Sequence, residues 1–145
     1  MNTYLPLAVI RSLGISATHL GYYYLNTSIL LILEDENRLL MVSKLLYPLV
    51  AEIHSTTPSC VERNIRTVIS LCWSRGDRER LFQIAGCRLQ SKPTNGEFID
   101  ILSCYIKKHN PSVEWKQNGT LLSMLVIPEN HSRSSRPVSD RKSVV

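Results

Sequence analysis

The sequence predicts an all-α domain, a compact bundle of about six helices, and three observations carry that prediction. Helix caps and stops recur along the chain, strand signals are nearly absent before residue 110, and the composition is that of one ordinary core. The 145 residues are 43% hydrophobic and 20% charged, which excludes a disordered or fibrous chain and leaves no room for two large domains.

Each helix has its own punctuation. Leu5 to Leu13 reads as a first helix stopped by Gly14, and Thr18 is expected to cap a second through Tyr22, Leu25, Ile29 and Leu33 into the acidic turn Glu34-Asp35-Glu36. A third starts near Asn37 and contains Pro48, which removes an amide donor, so two short pieces are expected to meet at Tyr47-Pro48. The fourth begins at Thr57-Pro58, a threonine cap before a proline at the first helical position, and ends at Gly76. Asp77 then caps a short helix through Leu81 and Ile84 that stops at Gly86. Thr94-Asn95-Gly96-Glu97 has the form of a capping box, followed by Phe98, Leu102, Tyr105 and Ile106 at helical spacing.

The domain is therefore expected over residues 1–109, with 110–145 an extension that is largely a disordered tail. Leu121 to Ile127 is an apolar patch within it, either a short strand or a docking segment, while 129–145 is too polar to build a core.

Charge is uneven: residues 1–54 hold three basic and four acidic groups, 55–109 nine and five, and 110–145 five and three. A basic surplus in the middle and tail points weakly to nucleic acid, and solvated helix faces explain it as well. The cysteines at 60, 72, 87 and 104 lack the close pairing of tetrahedral zinc sites, and His19, His54, His109 and His131 are scattered, so neither metal nor cofactor is expected. Ser/His/Asp arrangements, paired carboxylates and glycine-rich phosphate loops are not visible, and an enzyme is not expected. The apolar run Ile29 to Leu33 is far short of the roughly 20 residues of a membrane span. With no basic leader before Arg11, a cytoplasmic location with free thiols is the expectation.

The segment that carries chemistry is 49–69. Ala51 provides a small side chain for a close helix crossing, Ser55-Thr56-Thr57 a turn, and Val61 and Ile65 the return packing, which is the pattern of a helix-turn-helix; Ser55 stands where a turn glycine is common. At about 100° per residue, Val61, Ile65, Val68 and Cys72 fall on one arc, and Ser59, Glu62, Arg63, Arg66 and Ser70 on the other. Arginine is shaped to meet guanine with two hydrogen bonds, and Glu62 can accept from cytosine. The alternative is an ordinary i, i+4 surface pair between Glu62 and Arg66. Arg75 and Lys92, near helix ends, either touch phosphates or are simply solvated. Tyr22, Tyr23 and Tyr24 cannot all face one way, and Tyr22 and Leu25 are read as core.

Five motifs, Gly21-Tyr22-Tyr23-Tyr24-Leu25, Leu46-Tyr47-Pro48, Val61-Glu62-Arg63-Asn64-Ile65-Arg66, Trp73-Ser74-Arg75-Gly76 and Lys92-Pro93-Thr94-Asn95-Gly96-Glu97-Phe98-Ile99, stand in the right order and spacing. Together they resemble the C-terminal DNA-binding domain of the stage zero sporulation protein A family, response regulators of endospore-forming Firmicutes, over about residues 4–109. The resemblance implies a six-helix effector domain with a helix-turn-helix, of the winged-helix-like response-regulator effector superfamily, that binds a DNA box containing TGTCGAA. It implies that Glu62, Arg63 and Arg66 face bases on the recognition helix and that Ser59, Arg75 and Lys92 lie near the DNA backbone.

The chain departs from the pattern in three ways. It is expected to stand without the family's receiver domain, and so without phosphorylation-controlled dimerisation; Leu20 and Cys60 replace residues that tend to be basic; and the extension has no counterpart. The expected partners are double-stranded DNA, a second copy on tandem sites and a full-length regulator, with no membrane. A sequence-specific transcriptional regulator is the first reading. A receiver-less module that pairs with and modulates a full-length regulator is the second, favoured by Leu20, Cys60 and the apolar patch, whereas Glu62, Arg63 and Arg66 favour DNA.

Overall fold

In a computed structural model of the chain, residues 4–117 and 119–128 are described. Seven α-helices occur among them: α1 (Pro6–Ser12), α2 (Leu20–Glu34), α3 (Tyr47–Ile53), α4 (Pro58–Arg75), α5 (Arg78–Ala85), α6 (Asn95–His109) and α7 (Thr120–Met124). There is no strand among the described residues. The expected six helices are α1 to α6, and α7 takes up the first part of the apolar patch.

The architecture is a bundle around α2. A helix buried on all sides must be surrounded, and α2 is buried without interruption from Tyr24 to Leu33, the polar Asn26, Thr27 and Ser28 included, enclosed by α1, α4, α6 and α7. Tyr22 and Tyr24 are both buried, while Tyr23 is half-buried with its ring edge-on to Tyr22 at 5.0 Å. Gly21 lets α4 come close: a Cβ there would stand 2.8 and 2.9 Å from the two Val68 methyls and nearer still to the Asn64 carbonyl oxygen. Gly76, at the end of α4, does the same for the end of α1, since a Cβ there would meet the Leu13 carbonyl oxygen at 2.5 Å.

The caps act as their residue types dictate. Thr57 Oγ1 accepts from the Cys60 amide at 3.1 Å, Asp77 accepts from the Arg80 amide at 2.9 Å, and Thr94 with Glu97 forms the full capping box. Thr18 corrects the sequence reading. It does not cap α2; its hydroxyl turns to Ser16 at 2.9 Å, and the helix opens one residue later behind His19 with no side-chain cap. The third segment also differs in kind, since Glu36–Met41 is a 3₁₀ helix capped by Asp35 and Val42–Leu46 is a π turn. They lead into α3, which carries Pro48 in its first turn, where a missing amide is harmless.

Past residue 109 the chain stays on the bundle. Asn110 is buried and donates to the Ile106 and Tyr4 carbonyls, and Trp115 is buried in the core. Of the patch read as a strand or a docking segment, Leu121 to Met124 is helical in α7 and docks on α2 through Leu121 and Met124, with Asn26 Nδ2 donating to the Met124 carbonyl at 3.3 Å, while Leu125 to Ile127 is irregular. The disorder expected over 129–145, the basic groups there and His131 lie outside the described residues. No helix among the described residues is long and apolar enough to cross a membrane.

Candidate nucleic-acid interface

The helix-turn-helix consists of α3, a turn over residues 54–57, and α4. The turn is a Schellman closure: the Ser55 amide donates to the Glu52 carbonyl at 3.3 Å and the Thr56 amide to the Ala51 carbonyl at 2.9 Å. Such a closure needs one left-handed residue, usually glycine, and Ser55 supplies it at φ 54°. Ala51 is buried at the crossing, so the sharp return is followed at once by the threonine cap and Pro58 of α4.

On α4 the apolar arc read from the sequence is the buried one, with Val61, Ile65, Val68 and Cys72 inside and Ile69 added to them. Burial pushes the Cys72 thiol up to about 11, so it is an inert packing group. The opposite arc is open: Ser59, Arg63 and Arg66 are exposed and Glu62 is half-buried. Glu62 and Arg66 lie 3.4 Å apart as an exposed ion pair. The surface pair is therefore real in the free protein, and exposed pairs of this kind contribute only about 0.3–0.5 kcal/mol, so Arg66 is readily released to another acceptor.

Lys92 comes from the loop between α5 and α6 and lies beside α4, its ammonium donating to Ser70 Oγ at 2.9 Å. The two cations share two depressions. One groove of about 590 Å³ is lined by Glu62, Arg66, Lys92, Tyr47 and Asn95, with the 3₁₀ segment's Leu40 on its far wall. A second, of about 280 Å³, runs along Arg66, Thr67, Ser70, Ser74 and Lys92. Glu62, Arg66 and Lys92 are thus brought together, and Ser59 and Arg63 stand on the same open face of α4. Arg75 is exposed at the far end and lines neither groove, because at about 100° per residue it sits roughly 160° around α4 from Ser59.

Two residues of the site carry no chemical signal in the sequence. Tyr47 is buried behind the groove; burial raises its hydroxyl pKa, with the Asn95 hydrogen bond and Arg66 pulling the other way, so the phenol stays protonated. Asn95 reaches both Tyr47 and α4; the sequence marked it by its place in the capping box and, like Tyr47, by a family-like motif, with no sign of these contacts. The two family departures also face inward: Leu20 is half-buried against the core, and Cys60 accepts from Asn64 Nδ2 at 3.3 Å.

The described residues hold no group of three or more His, Cys, Asp or Glu placed to bind a metal ion. The His54 Nε2 pairs with Thr27 Oγ1 at 2.7 Å, and burial lowers its pKa. A family model described as sporulation initiation factor Spo0A C terminal matches residues 7–106, more than half of the chain.

Proposed function

The chain belongs to the family of sporulation initiation factor Spo0A C-terminal domains, a family of DNA-binding effector domains, and on that premise we propose that it is a sequence-specific transcriptional regulator that recognises a TGTCGAA-like box through α4. Glu62, Arg63 and Arg66 read base edges in the major groove, Ser59 and Lys92 serve the phosphate backbone on the same face, and Arg75 serves it from around the far end of α4. The observation that supports this most is the placement of Lys92 beside Arg66 on the open face of α4, behind a tight Schellman turn. An ammonium anchored next to base-reading side chains is the division of labour such interfaces use: phosphate contacts fix register, and side chains in the groove discriminate sequence. The protein works in the cytoplasm, on double-stranded DNA, as a homodimer where sites occur in tandem, and carries out no catalysis.

The test is a gel-shift titration of a duplex carrying the box against a scrambled duplex at physiological salt. Clear preference for the box supports the reading, and equal affinity overturns it.

A second reading has its own support. Leu122, Val126 and Ile127 are exposed on the extension, outside the matched residues, as an interaction module that pairs with a full-length regulator requires. In that case replacing the exposed Leu122, Val126 and Ile127 with serine, which leaves the buried Trp115 in place, abolishes capture of the full-length regulator while binding to the box survives.

A further inference from the structure

Asn95 is the first residue of α6, yet its side chain serves two other helices. Nδ2 donates to the Tyr47 hydroxyl of α3 at 3.1 Å and to the Glu62 main-chain carbonyl of α4 at 3.1 Å. The carbonyl can only accept, so the amide must turn its nitrogen toward it. A carbonyl inside a helix already serves the amide four residues on, here that of Arg66, and keeps a second lone pair free. Asn95 takes that lone pair and so holds α4 at the turn that carries Glu62 and Arg66.

Local needs do not explain this bond. The start of α6 is already closed by Thr94 and Glu97, whose side chains satisfy each other's amides. Three residues before Asn95, Lys92 reaches Ser70, about two turns along α4 from Glu62. The end of one loop and the first residue of α6 therefore hold α4 at two points and, through Tyr47, tie it to the first helix of the helix-turn-helix.

Resting on the DNA-reading proposal above, we infer that Asn95 is a positioning residue that fixes the rotation of α4, and with it the spacing between the base-reading Glu62 and Arg66 and the phosphate anchor Lys92. Bidentate contacts to bases demand close alignment, whereas a lysine meets a phosphate over a range of positions. Loss of the tie therefore relaxes sequence preference more than it weakens DNA binding. The apolar arc of α4 keeps the fold together without it.

Two variants test this. Asn95→Asp keeps the shape, cannot donate, and adds a negative charge at a helix start, where the helix dipole favours it. Asn95→Ala removes the group without adding charge. Both are measured for melting temperature, for affinity to box and scrambled duplexes, and for amide hydrogen exchange over residues 62–66. The expected result is a melting temperature lowered by only a few degrees, as one or two lost part-buried hydrogen bonds produce, an approximately five- to tenfold fall in the box-to-scrambled ratio, and faster exchange in that segment. In Asn95→Ala, affinity for the scrambled duplex stays unchanged. An unchanged ratio together with unchanged exchange overturns the inference. So does a parallel loss of both affinities with a large fall in melting temperature, which marks a purely structural role. If the unaltered protein shows no preference for the box, the DNA reading fails, and exchange alone then decides whether Asn95 holds α4.

Discussion

Gly21→Ala sets two effects of opposite sign against each other. Helix propensity favours alanine over glycine by at most about 1 kcal/mol, less in a first turn, so intrinsic preference predicts a small gain in stability. Packing predicts a loss. The added methyl would stand 2.8 and 2.9 Å from the Val68 methyls and closer still to the Asn64 carbonyl, and that carbonyl belongs to the backbone of α4, which cannot turn aside as a flexible side chain can. Relief requires α2 and α4 to separate by several tenths of an ångström along a contact that also holds Val61 and Ile65 in the core. Overpacking of this kind costs about 1–3 kcal/mol and occasionally more, so the loss outweighs the gain. The net change, about 1–2 kcal/mol, lowers the melting temperature by roughly 4 to 8 °C in a domain of this size. Thermal unfolding followed by circular dichroism measures it directly. A Gly21→Ala protein that melts at or above the temperature of the unaltered chain would refute the claim that close approach of α2 and α4 is why glycine stands there.

Four further outcomes follow from particular contacts. Ser55→Gly should raise stability by about 0.5–1 kcal/mol in denaturant titrations, because glycine relieves a left-handed serine whose strain is roughly 1–2 kcal/mol and gives back part of that in unfolded-chain entropy. Arg66→Ala should cost roughly 1–3 kcal/mol at the box and relax preference there, whereas Lys92→Ala should weaken all duplexes alike and reduce the salt slope by about one, both read from titrations at several salt concentrations. His54 has its pKa lowered by burial, so the unfolded chain takes up the proton near the ordinary pKa of about 6.5 while the folded one resists it. Stability should be intact above that pH and fall as the pH drops from there toward the folded value, and melting of His54→Gln should lack this fall. Trp115→Ala should cost about 3 kcal/mol, since the ring is buried beyond the family-matched residues, and Trp115→Phe much less, because the indole N–H it removes has no hydrogen-bond partner among the described residues.

The features legible in the amino-acid order are local ones. A cap is a residue and the amide two or three positions on, so Thr57, Asp77 and Thr94 could be read directly, as could the stop at Gly86 with its φ of 82° and the buried arc of α4. Ser55 was half legible: the turn was expected and the residue singled out, but whether serine would accept the left-handed geometry depended on α3 and α4 closing around it. Thr18 was misread because its hydroxyl had a nearer partner in Ser16. Everything else depended on packing between distant segments. Lys92 meets Ser70 across 22 positions, Asn95 meets Glu62 across 33 and Tyr47 across 48, and no periodicity encodes such pairs. The all-round burial of α2, the glycine at its crossing with α4, and the docking of Trp115 and α7 likewise depend on which helices become neighbours. Local signals set where each helix begins and which side is apolar; only the packing of those sides against one another brings Arg66, Lys92 and Asn95 to one face.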